Sequence, residues 1–148
     1  MRITVESIDP NAMVRLGFAQ LPSFPVQFSS VTVCGTANFV PAIGDAQSCA
    51  GQVFDVEINQ QKITNLERIG AESGESVVAC VELGCYKVAG RVTSVVRLDE
   101  RGDDEIVTVT AGEATFTLSS GDVAGIALSL GQSVSFLAHS LSLWDEAT

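Results

Sequence analysis

Apolar and polar residues alternate with a period of two along much of this chain, and helical periodicity scarcely appears, which restricts it to a mostly β fold. The pattern is clearest in "VFDVEIN", where Phe54, Val56 and Ile58 share one face while Asp55 and Glu57 take the other, as in a half-buried strand. It returns in "IVTVT" and in "EATFTLS", which places Ala114, Phe116 and Leu118 inward. Toward the amino end, Ile3 and Val5 point one way in a first strand, and Val14, Leu16 and Phe18 in a second. Val88, Val92 and Val96 are expected to face inward from a later strand that shows Lys87, Arg91 and Arg97 on its other side.

Between these strands lie segments of other character. Residues 36–51, "TANFVPAIGDAQSCAG", read as the longest irregular loop, and loops of that length are usually functional or held by a partner. "TNLERIGA" carries Thr64 and Glu67 in capping-box spacing and predicts one short helix. "SSGDVAGIAL" predicts another over 121–128, with Ser120 or Asp122 as its cap. Each leads toward a strand that begins Gly-x-Ser-Val, at Gly74 and at Gly131, and "VFDVEINQQKIT" aligns with "IVTVTAGEATFT" at an offset of 53 residues. Two accounts fit. One is an internal duplication, with barrel-like halves over 26–86 and 87–148 behind an N-terminal hairpin over 1–25; the other is convergence on a common strand start.

The second half has the more legible order: strands over 88–98, 105–111 and 113–119, the short helix, then strands over 131–138 and 140–145. That is the order of an OB-like barrel. Val134, Phe136 and Ala138 share one parity, Leu137, Leu141 and Leu143 the other, so the inward face changes near 137–140 and a bulge or sharp bend is expected there. With "GRVTSVV" at Gly90, "LSSGDVAGIALSLGQSV" and "LAHSLSLW", residues 88–145 resemble the small TOBE and Mop-type barrels. Mop-type domains bind molybdate at subunit contacts and often place a lysine and a serine on the last strands. This chain has His139 and Ser140 there, and Glu82 and Leu83 at the matching place of the first half, so the lysine is absent from both.

Length and composition bound the function. The 148 residues suffice for one compact domain spanning 1–148. Charged residues make up only 18%, the mean hydropathy is +0.31, and such a chain has few charges with which to cover itself. Eight Lys and Arg against eighteen Asp and Glu give a net charge of −10, a poor match for a phosphate track or an acidic membrane surface. No secretory leader pattern and no apolar run of membrane-spanning length is visible, so a cytoplasmic site of synthesis is expected, with incorporation into a particle open. Cys34, Cys49, Cys80 and Cys85 are then expected as reduced, buried thiols, since no Cys-x-x-Cys spacing offers a metal site.

Chemistry-bearing residues are few. His139 is the sole histidine; with no second one for a metal and no Gly-x-Ser-x-Gly elbow, it reads as a packed or rim residue, or as a pH-sensitive group. Trp144, the sole tryptophan, is expected at an interface or closing a barrel end. Leu128 to Glu146 is read as a barrel-closing strand pair. The acids around "DERGDDE" lack the spacing of a calcium loop and read as a solvated hairpin tip. No catalytic residue, metal or cofactor is expected. The function read from the sequence is a non-enzymatic, OB-like β-barrel that assembles with itself or other protein subunits, as in a viral or secretion particle, with Trp144, His139, Phe39 and Val40 as interface candidates. Two alternatives accompany it: a module binding single-stranded nucleic acid or a small anion through Lys87, Arg91 and Arg97, and an acidic inhibitor of a basic partner.

Overall fold

A computed structural model describes residues 1–42, 46–70, 76–101 and 104–146. Gly74, Asp103, residues 43–45 of the expected loop, Ala71 and residues 147–148 therefore lie outside the described residues. The fold is all-β. Among the described residues twelve strands follow in order: β1 (Arg2–Ile8), β2 (Val14–Leu16), β3 (Leu21–Ser29), β4 (Cys34–Val40), β5 (Val53–Asn59), β6 (Lys62–Arg68), β7 (Val77–Glu82), β8 (Cys85–Arg97), β9 (Glu105–Ala111), β10 (Ala114–Leu118), β11 (Ser133–His139) and β12 (Ser142–Asp145).

Five of them close into a small mixed barrel, in the circular order β1, β5, β12, β4, β3 and back to β1. A ring of five strands cannot alternate direction all the way round, so at least one contact must be parallel. It falls between β12 and β4, with Leu143 beside Phe39, while the other four contacts are antiparallel. Alternate residues of each strand fill the interior: Ile3 and Val5, Val26 and Phe28, Ala37 and Phe39, Val56, and Leu143. The rings of Phe39 and Phe54 lie 4.9 Å apart, centroid to centroid. β2 extends the sheet beyond β3 as a short arm.

The remaining strands form an open antiparallel sheet in the order β10, β9, β8, β11, β6, with β7 on β8. The long strand β8 is shared along one edge, pairing β7 through its first residues and β9 from Arg91 onward. One cluster of buried side chains runs through both sheets, the second contributing Val88, Val92, Val107, Val109, Phe116 and Phe136. Phe116 and Phe136 meet edge to face at 5.7 Å.

Two joints stand out among the contacts that hold the sheets together. The fully buried Tyr86 donates its hydroxyl to the carbonyl of Thr36 on β4 at 2.9 Å, and Gly84 N–H reaches the same carbonyl at 3.3 Å. Ser140, in the left-handed region at φ 54°, turns the chain from β11 in the open sheet into β12 in the barrel. This is the bend expected from the parity change: Val134, Phe136 and Ala138 are buried before it, Leu141 and Leu143 after it. Leu128 to Glu146 is thus no closing pair, because β11 and β12 belong to different sheets.

Other expectations are corrected in the same way. The barrel is not built from 88–145: β8 to β11 lie in the open sheet, and only β12 of that stretch enters the ring. β5 and β6, whose sequences align with β9 and β10, do not pair with each other, whereas β9 and β10 form a hairpin. β1 and β2 both pair with β3 instead of forming a hairpin together. "TNLERIG" is no helix; it supplies β6, in which Asn65 takes φ 56° at an irregularity opposite β11. The 121–128 connector is a run of turns in which Asp122 accepts from Ser119 N–H and Oγ, and a single 3₁₀ turn, Ala46–Cys49, is the helical element among the described residues. A bulge between Val92 and Ser94 turns Val95 toward the core and leaves Val96 exposed.

Candidate functional site

His139 ends β11 and lies between two neighbouring strands that bring it partners distant in sequence. Its Nε2 is 2.6 Å from Thr64 Oγ1 on β6, and its Nδ1 is 3.7 Å from Cys85 Sγ on β8. The imidazole is thus engaged on both sides, by a hydroxyl and a thiol. A nucleophilic cysteine must be available as thiolate. Burial, and then the nearby Glu82 and Cys80, push the Cys85 thiol up instead, so the trio is arranged as a closed hydrogen-bonded set. Sequence reading missed both partners: Thr64 had an apparent capping role, and Cys85 showed only as one of four cysteines. Cys85 and Cys49 are buried as expected, but Cys34 and Cys80 are exposed. Among the described residues, no group of three or more His, Cys, Asp or Glu side chains could hold a metal ion.

Phe39 and Val40 do not belong to a loop and are not available at the surface. They close β4: Phe39 is fully buried in the barrel interior, toward which Gly35, Ala37 and Phe39 alternate, and Val40, of the opposite parity, is buried on the other side of the strand beside Trp144. Trp144 stands on the outer wall of the barrel, half-buried, paired across to Glu57 on β5 and to Val40 on β4. Its indole N–H donates to Ser142 Oγ at 2.8 Å, and its ring edge lies under the turn after β2, where a Cβ on Gly17 would stand 3.3 Å from Cη2. Lys87, Arg91 and Arg97 are exposed, but they do not form one stripe. Lys87 and Arg91 share a face of β8; the bulge after Val92 shifts the alternation, so Arg97 falls on the other side, opposite Glu105.

The surface the sequence did not reveal is the β2–β3 arm. A tight turn over 17–20 joins its strands, with Gly17 at φ 74° and Gln20 at φ 53°, and Gln20 N–H and Nε2 both donate to Gly17 O. Arg15 Nη1 closes the turn on Gln20 O at 2.9 Å, and the buried Ser23 hydroxyl ties β3 to Val14 O at 2.7 Å. This framework holds Phe18 fully exposed at the tip, with Met13, Val14 and Leu21 also exposed. Val14 and Phe18, expected to share one face of a strand, form a prominent apolar projection of the described surface. One signal was available: residues 10–44 contain no Asp or Glu and a single base, Arg15, in a chain with eighteen acids.

An adjoining part of the barrel's outer surface, reached from the arm through Trp144 and its neighbour Glu57, has the complementary character. A cleft of about 310 Å³ between β5 and β10 is lined by Met1, Ile58, Thr115 and Thr117 together with Glu57 and Glu146. The neighbouring Asp55 is paired with Arg2, Nε to Oδ1 at 3.0 Å, which holds its carboxyl below the usual range. No family model, curated protein or solved structure matches the chain. Among the described residues no helix is long and apolar enough to cross a membrane, which leaves strands out of account.

Proposed function

We propose that this chain is a non-enzymatic interaction protein, a subunit that joins an assembly of copies of itself or of other protein subunits through its β2–β3 arm. The observation that carries this reading is the fully exposed Phe18, fixed at the tip of a hydrogen-bonded turn and flanked by exposed Met13, Val14 and Leu21. Water-exposed apolar groups on a pre-formed turn are costly to keep wet, and a rigid aromatic anchor loses little conformational freedom on docking. The buried, neutral Cys85 beside His139 agrees with a non-catalytic role.

The test places a photo-crosslinking aromatic residue at position 18, with the same residue at the exposed Leu130 as control, and irradiates cells that make the protein. Discrete protein adducts from position 18, absent from position 130, are expected. A chain that yields only uncrosslinked monomer from position 18 overturns the reading.

A further inference from the structure

The arm and the cleft on the acidic wall are neighbours on one side of the barrel. Gly17 of the arm lies against Trp144, Trp144 pairs across to Glu57, and Glu57 lines the cleft. Their chemistry is complementary. The arm offers one aromatic ring, Phe18, and one guanidinium, Arg15, in a stretch free of carboxylates. The cleft offers Met1, whose ammonium group donates to Val56 O at 3.0 Å, and the threonine side chains beside the two carboxylates of Glu57 and Glu146. Among the described residues, Arg15 donates to the carbonyl of Gln20.

Resting on the assembly reading above, we infer that the occupant of the cleft is the arm of a second copy of this chain. Phe18 of each copy packs against Met1 and the threonine side chains of the other, and Arg15 of each meets Glu57 and Glu146 of the other. A projection and a recess that lie side by side on one face are exchanged reciprocally about a two-fold axis, so the contact closes as a dimer and does not propagate as a filament. Charge favours this occupant. Each chain carries −10, so two copies repel over most of their surface, and the acid-free arm with its one cation is the segment that can approach the acidic wall of another copy most favourably. An acidic partner would find no comparable site on the cleft, and a basic partner none on the arm.

The experiment measures absolute mass by light scattering behind a sizing column across a dilution series, for the purified wild type, R15E, E57R, the double variant R15E/E57R, and Phe18→Ser. A wild-type mass of twice 15.5 kDa is expected. R15E and E57R each raise the dimer dissociation constant at least tenfold, the double variant returns it to within about threefold of wild type, and Phe18→Ser gives monomer. Phe18 touches solvent on all sides, so its replacement leaves the fold intact and serves as the check if a charge variant fails to fold. A wild-type multimer unchanged by R15E and Phe18→Ser assembles without the arm and overturns both the inference and the arm's role; a double variant no better than the single ones overturns the inference alone. A wild-type monomer that still crosslinks in cells through position 18 likewise overturns the second copy as occupant but not the assembly role. A monomer that crosslinks to nothing overturns both.

Discussion

Substituting Gly35 by alanine tests the joint between barrel and open sheet. Gly35 faces the barrel interior opposite Phe28, and a Cβ there would stand 2.3 Å from Tyr86 Oη, 2.9 Å from Cys80 Cβ and 3.1 Å from Tyr86 Cζ. The Gly35 backbone is not in the left-handed region, so the cost is one of space alone. Tyr86 must withdraw and give up its bond to Thr36 O. That bond contributes about 1 kcal/mol, because Gly84 N–H still satisfies the carbonyl after it is lost. Overpacking adds about 1–3 kcal/mol, so Gly35→Ala is expected to destabilise by about 2–4 kcal/mol in total. Tyr86→Phe alone costs about 1 kcal/mol. In the double variant the hydroxyl that clashes is gone and the bond it made is already lost, so Gly35→Ala/Tyr86→Phe is no less stable than Gly35→Ala. Urea unfolding of the four chains measures this, with unchanged dependence on denaturant as the sign that one folded state is being compared. In thermal terms Gly35→Ala lowers the midpoint by roughly 4–16 °C. Strictly additive single effects, or a Gly35→Ala chain within about 0.5 kcal/mol of wild type, would refute the reasoning.

Three further outcomes are expected. Gly90→Ala places a Cβ 2.6 Å from the backbone oxygen of Thr110, which cannot swing aside as a side chain can, so urea unfolding should show a loss of about 3 kcal/mol. Glu113 accepts from Thr32 N–H and Oγ1, and hydrogen bonds from Ser30 and Thr32 hold its carboxyl below the ordinary value of 4.5. Its contribution is therefore complete above that value and disappears as pH falls through the lower, folded one; Glu113→Gln should flatten this part of the acid-stability profile, by less than about 1 kcal/mol for so accessible a contact. Cys34 and Cys80 should react with a thiol reagent in the native protein, whereas Cys49 and Cys85 should react on denaturation, and immediate labelling of all four would contradict the burial described.

Local pattern was enough for the strands whose two faces differ. β5, β9 and β10 lie where alternation places them, and the bend at Ser140 follows from the parity of the residues around it. Pairing was not legible, because the barrel is made by contacts between segments far apart in the chain: Ile3 with Phe54, Leu143 with both Phe39 and Ile58. No turn signal announces such neighbours. The capping-box spacing of Thr64 and Glu67 misled for a related reason: Thr64 spends its hydroxyl on His139, 75 residues away, and that partner cannot be seen in a local window. Phe18 was not legible for another reason: two positions after Leu16 it reads as a continuation of the same strand face, but β2 ends at Leu16 and the Gly17 turn carries Phe18 out to solvent.

The position of β12 in the ring has a consequence for how the protein is made. This strand separates β4 from β5, and it is the last strand in chain order. While the nascent chain is still being extended, every other barrel strand has left the ribosome, yet the wall has a gap one strand wide with two unsatisfied edges. Such edges pair readily with any extended segment nearby. Emergence of Leu141 to Asp145 from the ribosome is therefore the earliest moment at which the barrel can change from a template for intermolecular pairing into a closed surface. A translational pause just upstream of Ser140 would lengthen the period of risk, and a trapped polypeptide released at that point would be the species most prone to aggregate.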